Sequence, residues 1–133
     1  MQKVTFILFM IYSIAHADLI NDNYLECKAL KTIDMTTNKT KYNWSNGERK
    51  LIGFKIREKG KLLKNENFYF IYKGINPAGY MIFYIDGDTE GLIRLHIRNE
   101  GVFKKNMTAY IANYIFKETN EIINMQCIST YLN

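Results

Sequence analysis

The chain has 133 residues, a formal net charge of +5, ten tyrosines, eight phenylalanines, one proline and two cysteines. This length is enough for one compact domain with its own core. The mildly basic charge weakly favours anionic partners and does not by itself indicate nucleic-acid binding. Aromatic and β-branched richness favours strands, and the sequence contains no repeat, low-complexity block or Pro/Ser-rich linker.

The first 17 residues have the composition of a secretory signal peptide. Lys3 gives a positive start, an apolar run extends from Val4 to Ile14, and Ala15-His16-Ala17 matches the A-x-A cleavage pattern. The run is shorter than the about 20 residues that a membrane-spanning helix needs. We therefore expect an exported protein, periplasmic or secreted, with a signal peptide over 1–17, a single β domain over 18–133 and no stable membrane insertion after cleavage.

The two cysteines, Cys27 and Cys127, lie near opposite ends of the chain. Disulfides persist in oxidising compartments, so export makes a bridge between them the simplest reading. The sequence has no C-x-x-C motif, and no histidine lies near either cysteine, which disfavours redox or metal chemistry. We predict one structural disulfide that joins the first strand to the last.

Alternation with a period of two residues begins soon after the predicted cleavage site. Residues 24–30 alternate and place Cys27 on the apolar face. Residues 31–48 are polar and rich in turn-forming residues. Residues 51–57 then alternate cleanly, with Phe54 on the apolar face. The pattern is typical of half-buried strands separated by a loop.

Three more strands are predicted in the middle of the chain. Residues 67–73 and 80–85 are apolar on both faces, and Pro77 breaks the pattern between them. After the Asp86-Gly87 turn signal, residues 92–98 give the clearest alternation in the sequence. Turn signals at this spacing indicate an antiparallel meander.

The last segment leaves two structures open. Residues 107–118 are compatible with a strand and also with a helix, which would make the protein α+β. The chain ends in IINMQCI, which places Cys127 on an apolar strand face. We predict a mainly β fold, an antiparallel meander that forms a small barrel or a strongly curled sheet closed by one disulfide, because closure removes exposed strand edges.

The layout also carries a resemblance. The strand YLEC follows the predicted signal peptide, the strands GFKI, FYFIYKG and MIFYI come next, and NMQC carries the second cysteine. This is similar to small exported bacterial proteins with β-barrel or lipocalin-like domains and one cysteine in each of the first and last strands. The resemblance implies a barrel and no particular activity. The chain departs from it at FKETNE, which lacks the arginine and glycine of an Asn/Asp-Arg-x-Thr-Gly-like step.

A first candidate site is the acidic segment DGDTEGLI. Asp86, Asp88 and Glu90 alternate before Gly91, as in the first half of an EF-hand calcium loop. The twelfth position of such a loop would be Ile97, where a bidentate glutamate belongs. The competing interpretation is a hairpin turn around Asp86-Gly87, so no metal is expected beyond this weak calcium candidate.

A second candidate is a basic strip. Lys55 and Arg57 lie on one predicted strand, and Arg94, His96 and Arg98 lie on another. If the two strands share a polar face, the strip could bind an acidic partner, a glycan phosphate or a phospholipid headgroup. The alternative is an ordinary solvated face whose charge nearby glutamates neutralise.

A third candidate is a set of aromatic residues that could line a cavity for an apolar ligand or a sugar: Phe68, Phe70, Tyr72, Tyr80 and Tyr84. Core packing is the alternative use of such residues. Aromatic side chains beside lysines can also stack nucleic-acid bases, but the sequence has no nucleic-acid recognition motif.

Signs of catalysis are weak. Residues 18–133 contain one histidine, His96, and two serines, Ser45 and Ser129, without a G-x-S-x-G, H-E-x-x-H or zinc-ligand spacing. We therefore expect a non-enzymatic binding protein with no cofactor and no nucleic-acid partner. Its expected partner is a protein in the envelope or outside the cell, as for an inhibitor or immunity protein. A barrel carrier of a small apolar or glycan ligand and an enzyme with paired carboxylates remain the alternatives.

Overall fold

The computed structural model describes residues 19–20, 23–44, 50–104 and 107–131. The predicted signal peptide and its cleavage site lie outside these ranges. The strands in the described ranges are β1 (Asn23–Asp34), β2 (Lys39–Asn43), β3 (Leu51–Arg57), β4 (Leu62–Asn65), β5 (Phe68–Ile75), β6 (Met81–Ile85), β7 (Ile93–Lys104), β8 (Met107–Phe116) and β9 (Glu121–Tyr131). A short 3-10 turn at Glu58–Gly60 connects β3 to β4.

Eight of these strands form a closed antiparallel barrel. Its order is β1-β3-β4-β5-β6-β7-β8-β9, and β9 pairs back onto β1. The predicted mainly β meander and its closure are therefore confirmed. The helix considered around 107–118 is wrong, because β8 pairs with β7 on one side and β9 on the other, and strand pairing across both edges overrides the local helical spacing.

The first strand pairs with two different strands along one of its edges. Residues 24–28 pair with β3, whereas residues 31–34 pair with β2, and β9 runs alongside both parts. The pairing of β1 with β3 starts at Leu51, opposite Lys28, and the N–H of Ala29 also donates a hydrogen bond to the carbonyl of Lys50, before β2 takes over as the neighbour of β1. The strand β2 lies inside the segment that the sequence predicts as a turn-rich loop.

The predicted disulfide is confirmed. Cys27 and Cys127 are direct neighbours across the β1–β9 seam, with Cα atoms 4.0 Å apart. Both side chains are buried, as expected for the apolar face of each strand. The bridge therefore locks the seam at which the ends of the sheet meet.

The barrel interior is filled by the apolar faces that alternation predicts. Its largest side chains with little or no exposed surface are Tyr110, Phe54, Phe70, Phe83, Leu25, Ile56, Leu63, Leu95, Ile97 and Met125. Phe54 and Phe70 meet edge to face with ring centroids 5.6 Å apart. Aromatic pairs in this geometry add about 0.5–1.5 kcal/mol beyond the burial of their surface.

One end of the barrel is covered, and we call it the closed end. Leu19 is buried in the core cluster there, and the N–H of Asn23 donates a hydrogen bond to the carbonyl of Ile20. Gly60 packs directly beneath, so that a Cβ at this position would lie 2.8 Å from the carbonyl oxygen of Leu19. The positive φ of Gly60, 83°, suits glycine as well.

The opposite end we call the open end. It is formed by β2, by the start of β3 and by the turns over 65–67, 86–92 and 117–120. These turns are held by polar contacts: the Asn65 side-chain amide donates to the carbonyl of Gly53, and that of Asn120 donates to the hydroxyl of Thr36. A cavity opens at this end.

Candidate functional site

The five residues of the predicted basic strip lie on opposite walls of the barrel. Lys55 and Arg57 point outward from β3, and the three basic residues of β7 point outward from that strand. In the ring of eight strands, β3 and β7 are four steps apart in either direction. The strip is therefore two separate patches: Lys55 lies opposite Lys64 of β4, and the β7 patch is joined by cations and aromatic rings of β5 and β6.

The β7 patch extends over the outer surface of β5 and β6. We call this surface the basic–aromatic face; its residues are Lys73, Tyr80, Tyr84, Arg94, His96 and Arg98. Their positions follow from strand register, because Tyr84 of β6 lies directly opposite Arg94 of β7, and Lys73 of β5 is a near neighbour. Cross-strand neighbours on one face of a sheet are close enough for such side chains to interact.

Tyr84 holds two cations at the centre of this face. The Lys73 ammonium lies 5.7 Å from the Tyr84 ring centroid, and the Arg94 guanidinium carbon lies 5.0 Å from it. The Nε–H of Arg94 also donates to the carbonyl of Gly91. A Cβ at Gly91 would lie 2.5 Å from Tyr84, so glycine is what allows the ring to lie flat against the chain.

A second cation–ring pair lies further along β7. The Arg98 guanidinium carbon is 4.8 Å from the ring centroid of Tyr80, and its Nε–H bonds to Glu100 at 3.0 Å. The hydrogen bond to Glu100, supported by the nearby Tyr80, raises the pKa of Arg98. Arg98 is thus partly neutralised, whereas neither Lys73 nor Arg94 pairs with a carboxylate within the described ranges.

His96 lies between the two arginines. Its Nε2 atom is buried and has no hydrogen-bond partner among the described residues. Burial lowers the pKa of His96, and the positive charges of Arg94 and Lys117 lower it further. Burial is thus the main cause of the lowered pKa of His96, and the neighbouring positive charges add to it.

The acidic segment forms a turn. Gly87 has a φ of 89°, and the N–H of Asp88 bonds to the carbonyl of Ile85. The Asp88 carboxylate accepts the N–H groups of Leu92 and Ile93, and the bond from Ile93 contributes most to lowering its pKa. No group of three His, Cys, Asp or Glu side chains is placed to hold a metal ion in the part of the chain described. Asp88 thus organises the turn, and the calcium candidate gains no support from the geometry.

The five candidate aromatic residues are not brought into one cavity. Phe70 is buried inside the barrel, and Tyr72 packs against the core. Phe68 is 54% exposed, and Tyr80 and Tyr84 lie on the basic–aromatic face. Residues that lie close together in the sequence are thus divided between the core and the surface.

Sequence reasoning missed Lys73 as a member of the face. Its place beside Tyr84 depends on the register between β5 and β6, which shifts between Tyr72 and Gly74. A bulge of this kind re-aims a side chain by inserting one residue into a strand. The only local signal was Gly74, since an isolated glycine inside a strand pattern suggests a bulge.

Comparison of the chain with protein-family models, with curated proteins and with solved structures finds no match. Within the described ranges, no helix is long and apolar enough to cross a membrane. The function must therefore be argued from the chemistry of the surfaces themselves.

Proposed function

We propose that the mature chain is an exported, non-enzymatic binding protein that engages a protein partner, in the manner of an inhibitor or immunity protein, through the basic–aromatic face. The observation that carries this proposal is the support of Lys73, Arg94 and Arg98 by tyrosine rings on one wall of the barrel. The Cys27–Cys127 disulfide is compatible with an oxidising compartment outside the cytoplasm.

The composition of the face favours a protein partner. Tyrosine and arginine are enriched among the residues that dominate protein–protein binding energies. Here Tyr80 and Tyr84 flank Ile82 on the outer side of β6, so cations surround an aromatic and apolar centre. Stacking also restricts the arginine side chains before binding, which lowers the entropy lost when a partner orders them.

The charge of the face favours an acidic partner. Arg94 and Arg98 are four residues apart on one strand, which separates their Cα atoms by roughly 13 Å. A partner with two carboxylates at a similar spacing could bind both guanidinium groups, and charge-assisted bonds of this kind are about twice as strong as neutral ones. Association should be faster at low ionic strength, because complementary charges steer the encounter.

The test is quantitative capture with two charge-reversed proteins. Oxidised residues 18–133 would be immobilised and exposed to envelope extract and surrounding medium, and the affinity of any purified partner would be measured. Arg94→Glu/Arg98→Glu reverses the face, whereas Lys55→Glu/Arg57→Glu makes the same change in net charge on the opposite wall. We expect the first variant to lose binding and the second to retain it.

Other outcomes would contradict the proposal. Equal loss in both variants would indicate attraction to net charge rather than recognition by the face. Equal binding by both variants would place the binding surface elsewhere. If no partner bound saturably, the protein-binding function itself would be contradicted.

His96 offers a second readout. A carboxylate brought to the face would offset the positive field and raise the pKa of His96 in the complex. Binding should then strengthen as the pH falls through the range between the free and bound pKa values. Because His96 is the only histidine in residues 18–133, its imidazole signals in a proton NMR titration can be assigned without ambiguity.

A further inference from the structure

The open end contains a cavity of about 620 Å³ that the basic–aromatic face does not include. It lies where β3 begins, between the turn that joins β4 to β5 and the facing ends of β8 and β9. This is where β1 passes from pairing with β3 to pairing with β2. Ligand cavities in proteins commonly have volumes of roughly 300–1,000 Å³, so the space is adequate for a small organic molecule.

One wall of the cavity is aromatic and apolar. Tyr114 and Phe116 project from β8 and stack with ring centroids 4.6 Å apart and an interplanar angle of 20°. Ile52 and Ile123 extend this wall. The ring of Tyr114 also meets the ring of buried Phe70 edge to face, with centroids 5.8 Å apart, so the wall is anchored to the barrel core.

The rim of the cavity is positively charged. Lys50, Lys55 and Lys64 line it, against the single carboxylate of Glu66. None of the three ammonium groups forms an ion pair with a carboxylate in the described part of the chain. The ammonium of Lys50 lies 5.2 Å from the ring centroid of Trp44, which packs against the core and holds this side chain beside the opening.

A neutral donor faces the same space. The hydroxyl of Tyr114 makes no hydrogen bond within the described residues, although the side chain is partly buried. Burial raises the pKa of Tyr114, so the hydroxyl keeps its proton. The neutral hydroxyl can donate a hydrogen bond to a ligand oxygen.

A second cavity differs from the first in the charge of its lining residues. A groove of about 610 Å³ lies on the outer surface of β8, β9 and β1, with a floor that includes Met107, Ile111 and Ile128. Its charged residues are Glu26, Glu100 and Lys28. The groove is about as large and is more apolar, but it has two carboxylates for one cation. Of these two cavities in the described ranges, the one at the open end combines an apolar wall with an excess of positive charge.

We propose that the open end binds an organic acid, a molecule with one anionic group and an apolar body of aromatic or acyl type. The anionic group lies among Lys50, Lys55 and Lys64 and accepts a hydrogen bond from the Tyr114 hydroxyl, and the apolar body packs against Tyr114 and Phe116. This site is separate from the proposed protein-binding face, since β3 and β7 lie on opposite walls.

The test uses anilinonaphthalene sulfonate, a fluorescent dye with one sulfonate and an aromatic body. We expect saturable fluorescence at one site per chain in oxidised residues 18–133, and competition from naphthoate, laurate or both. Naphthoate alone would identify an aromatic body, and laurate alone an acyl body. Dodecyltrimethylammonium, which has the opposite charge, should not compete.

Two double variants locate the dye. Lys50→Glu/Lys64→Glu should weaken binding by roughly tenfold or more, because charge-assisted contacts are replaced by repulsion. Lys73→Glu/Arg94→Glu makes the same change in net charge on the basic–aromatic face and should leave dye affinity unchanged. Phe116→Ala should also weaken binding, and its circular dichroism must match that of the unaltered protein for the comparison to count.

Three results would overturn this inference: no saturable binding, equal weakening in both double variants, or unchanged affinity in Lys50→Glu/Lys64→Glu. The uncharged phenylnaphthylamine shows whether the outer groove takes up apolar molecules irrespective of charge, and its binding should be insensitive to the lysine variant. Partner capture by Lys50→Glu/Lys64→Glu should persist, so failure of the ligand site and failure of the protein-binding face are distinguishable.

Discussion

The two ends of the barrel are built from different kinds of contact. At the closed end, Leu19 is only 2% exposed, and its backbone packs on Gly60. At the open end, hydrogen bonds between side chains and backbone hold the turns: the Asp88 carboxylate accepts the N–H of Leu92, and the Asn65 amide donates to the carbonyl of Gly53. A cavity lies between these turns. The strands that join the two ends are the same, so the contrast arises from the segments that flank them.

If the open end binds a ligand as proposed, this barrel separates the contacts that stabilise it from those that bind. Apolar burial at the closed end is worth about 25 cal/mol per Å² and needs no partner from solution. Exposed polar turns contribute less to stability, but they leave room for a ligand and for changes of shape. We therefore expect substitutions at the closed end to affect stability most and substitutions at the open end to affect binding most.

The largest expected effect comes from the seam, which runs from one end to the other. In Cys27→Ala/Cys127→Ala the unfolded chain regains the freedom of a loop that spans a sequence separation of 100 residues. Stability should fall by about 3–5 kcal/mol. Urea unfolding of the variant, compared with the unaltered protein with and without reductant, measures this. A loss below about 1 kcal/mol would show that pairing of β1 with β9 suffices without the bridge.

The next effect tests the closed end alone. Leu19→Ala removes a buried side chain and should cost about 2–3 kcal/mol, at the lower end of the range for buried leucines. Leu51→Ala is the matched control at the open end, since Leu51 is 58% exposed, and it should change stability by less than about 0.5 kcal/mol. Thermal unfolding of both proteins decides the comparison, and equal losses would mean that Leu19 does not close the barrel.

A pair of glycines sharpens the same comparison. Gly60 and Gly87 have similar positive φ values, 83° and 89°, at opposite ends. An alanine in this conformation costs about 1–2 kcal/mol, but only at Gly60 would the new Cβ also meet the Leu19 carbonyl, since nothing lies within 4 Å at Gly87. Gly60→Ala should therefore destabilise the protein more than Gly87→Ala. The difference between the urea midpoints of the two variants measures the cost of the clash with the Leu19 carbonyl. Equal midpoints would show that this clash does not affect stability.

The smallest effect concerns acid at the open end. The hydrogen bonds from Ile93, Leu92 and Gly91 hold the pKa of Asp88 below its usual value. The stabilisation they provide is present above the ordinary aspartate pKa and is lost as the pH falls through the lowered one. The amide NMR signals of Leu92 and Ile93 should shift in that acidic range and cease to do so in Asp88→Asn. Asp86→Asn is the control, and titration that persists in Asp88→Asn would assign the change to another carboxyl group.

Much of the fold follows from local alternation. The inward positions of Leu25, Phe54, Leu95 and Met125 are where a period of two residues places them, and all four side chains are buried. The strands β2 and β4 were not predicted, because they are short and polar or lie close to turns. For β8 the sequence favours a strand but leaves a helix open, and pairing on both edges selects the strand.

The candidate sites were less predictable than the core. Arg94, His96 and Arg98 share a face because they are alternate residues of one strand, and this could be read directly. Their neighbours Lys73, Tyr80 and Tyr84 come from other strands, and the lysines of the open end come from the start of β3 and from β4. Which strands become neighbours depends on how many strands close the barrel. No short segment of the sequence determines that number.

The sequence by itself determined that the chain is mainly β-strand and which residues face inward or outward, because side-chain direction in a strand is a local property. It also determined the Cys27–Cys127 pairing, because only two cysteines are available. The tertiary structure alone decided that the basic strip divides between opposite walls, that Leu19 closes one end and that lysines gather over aromatic rings at the other. The physical reason is that strand register and barrel closure are set by pairing between distant segments, whose energies depend on the whole sheet.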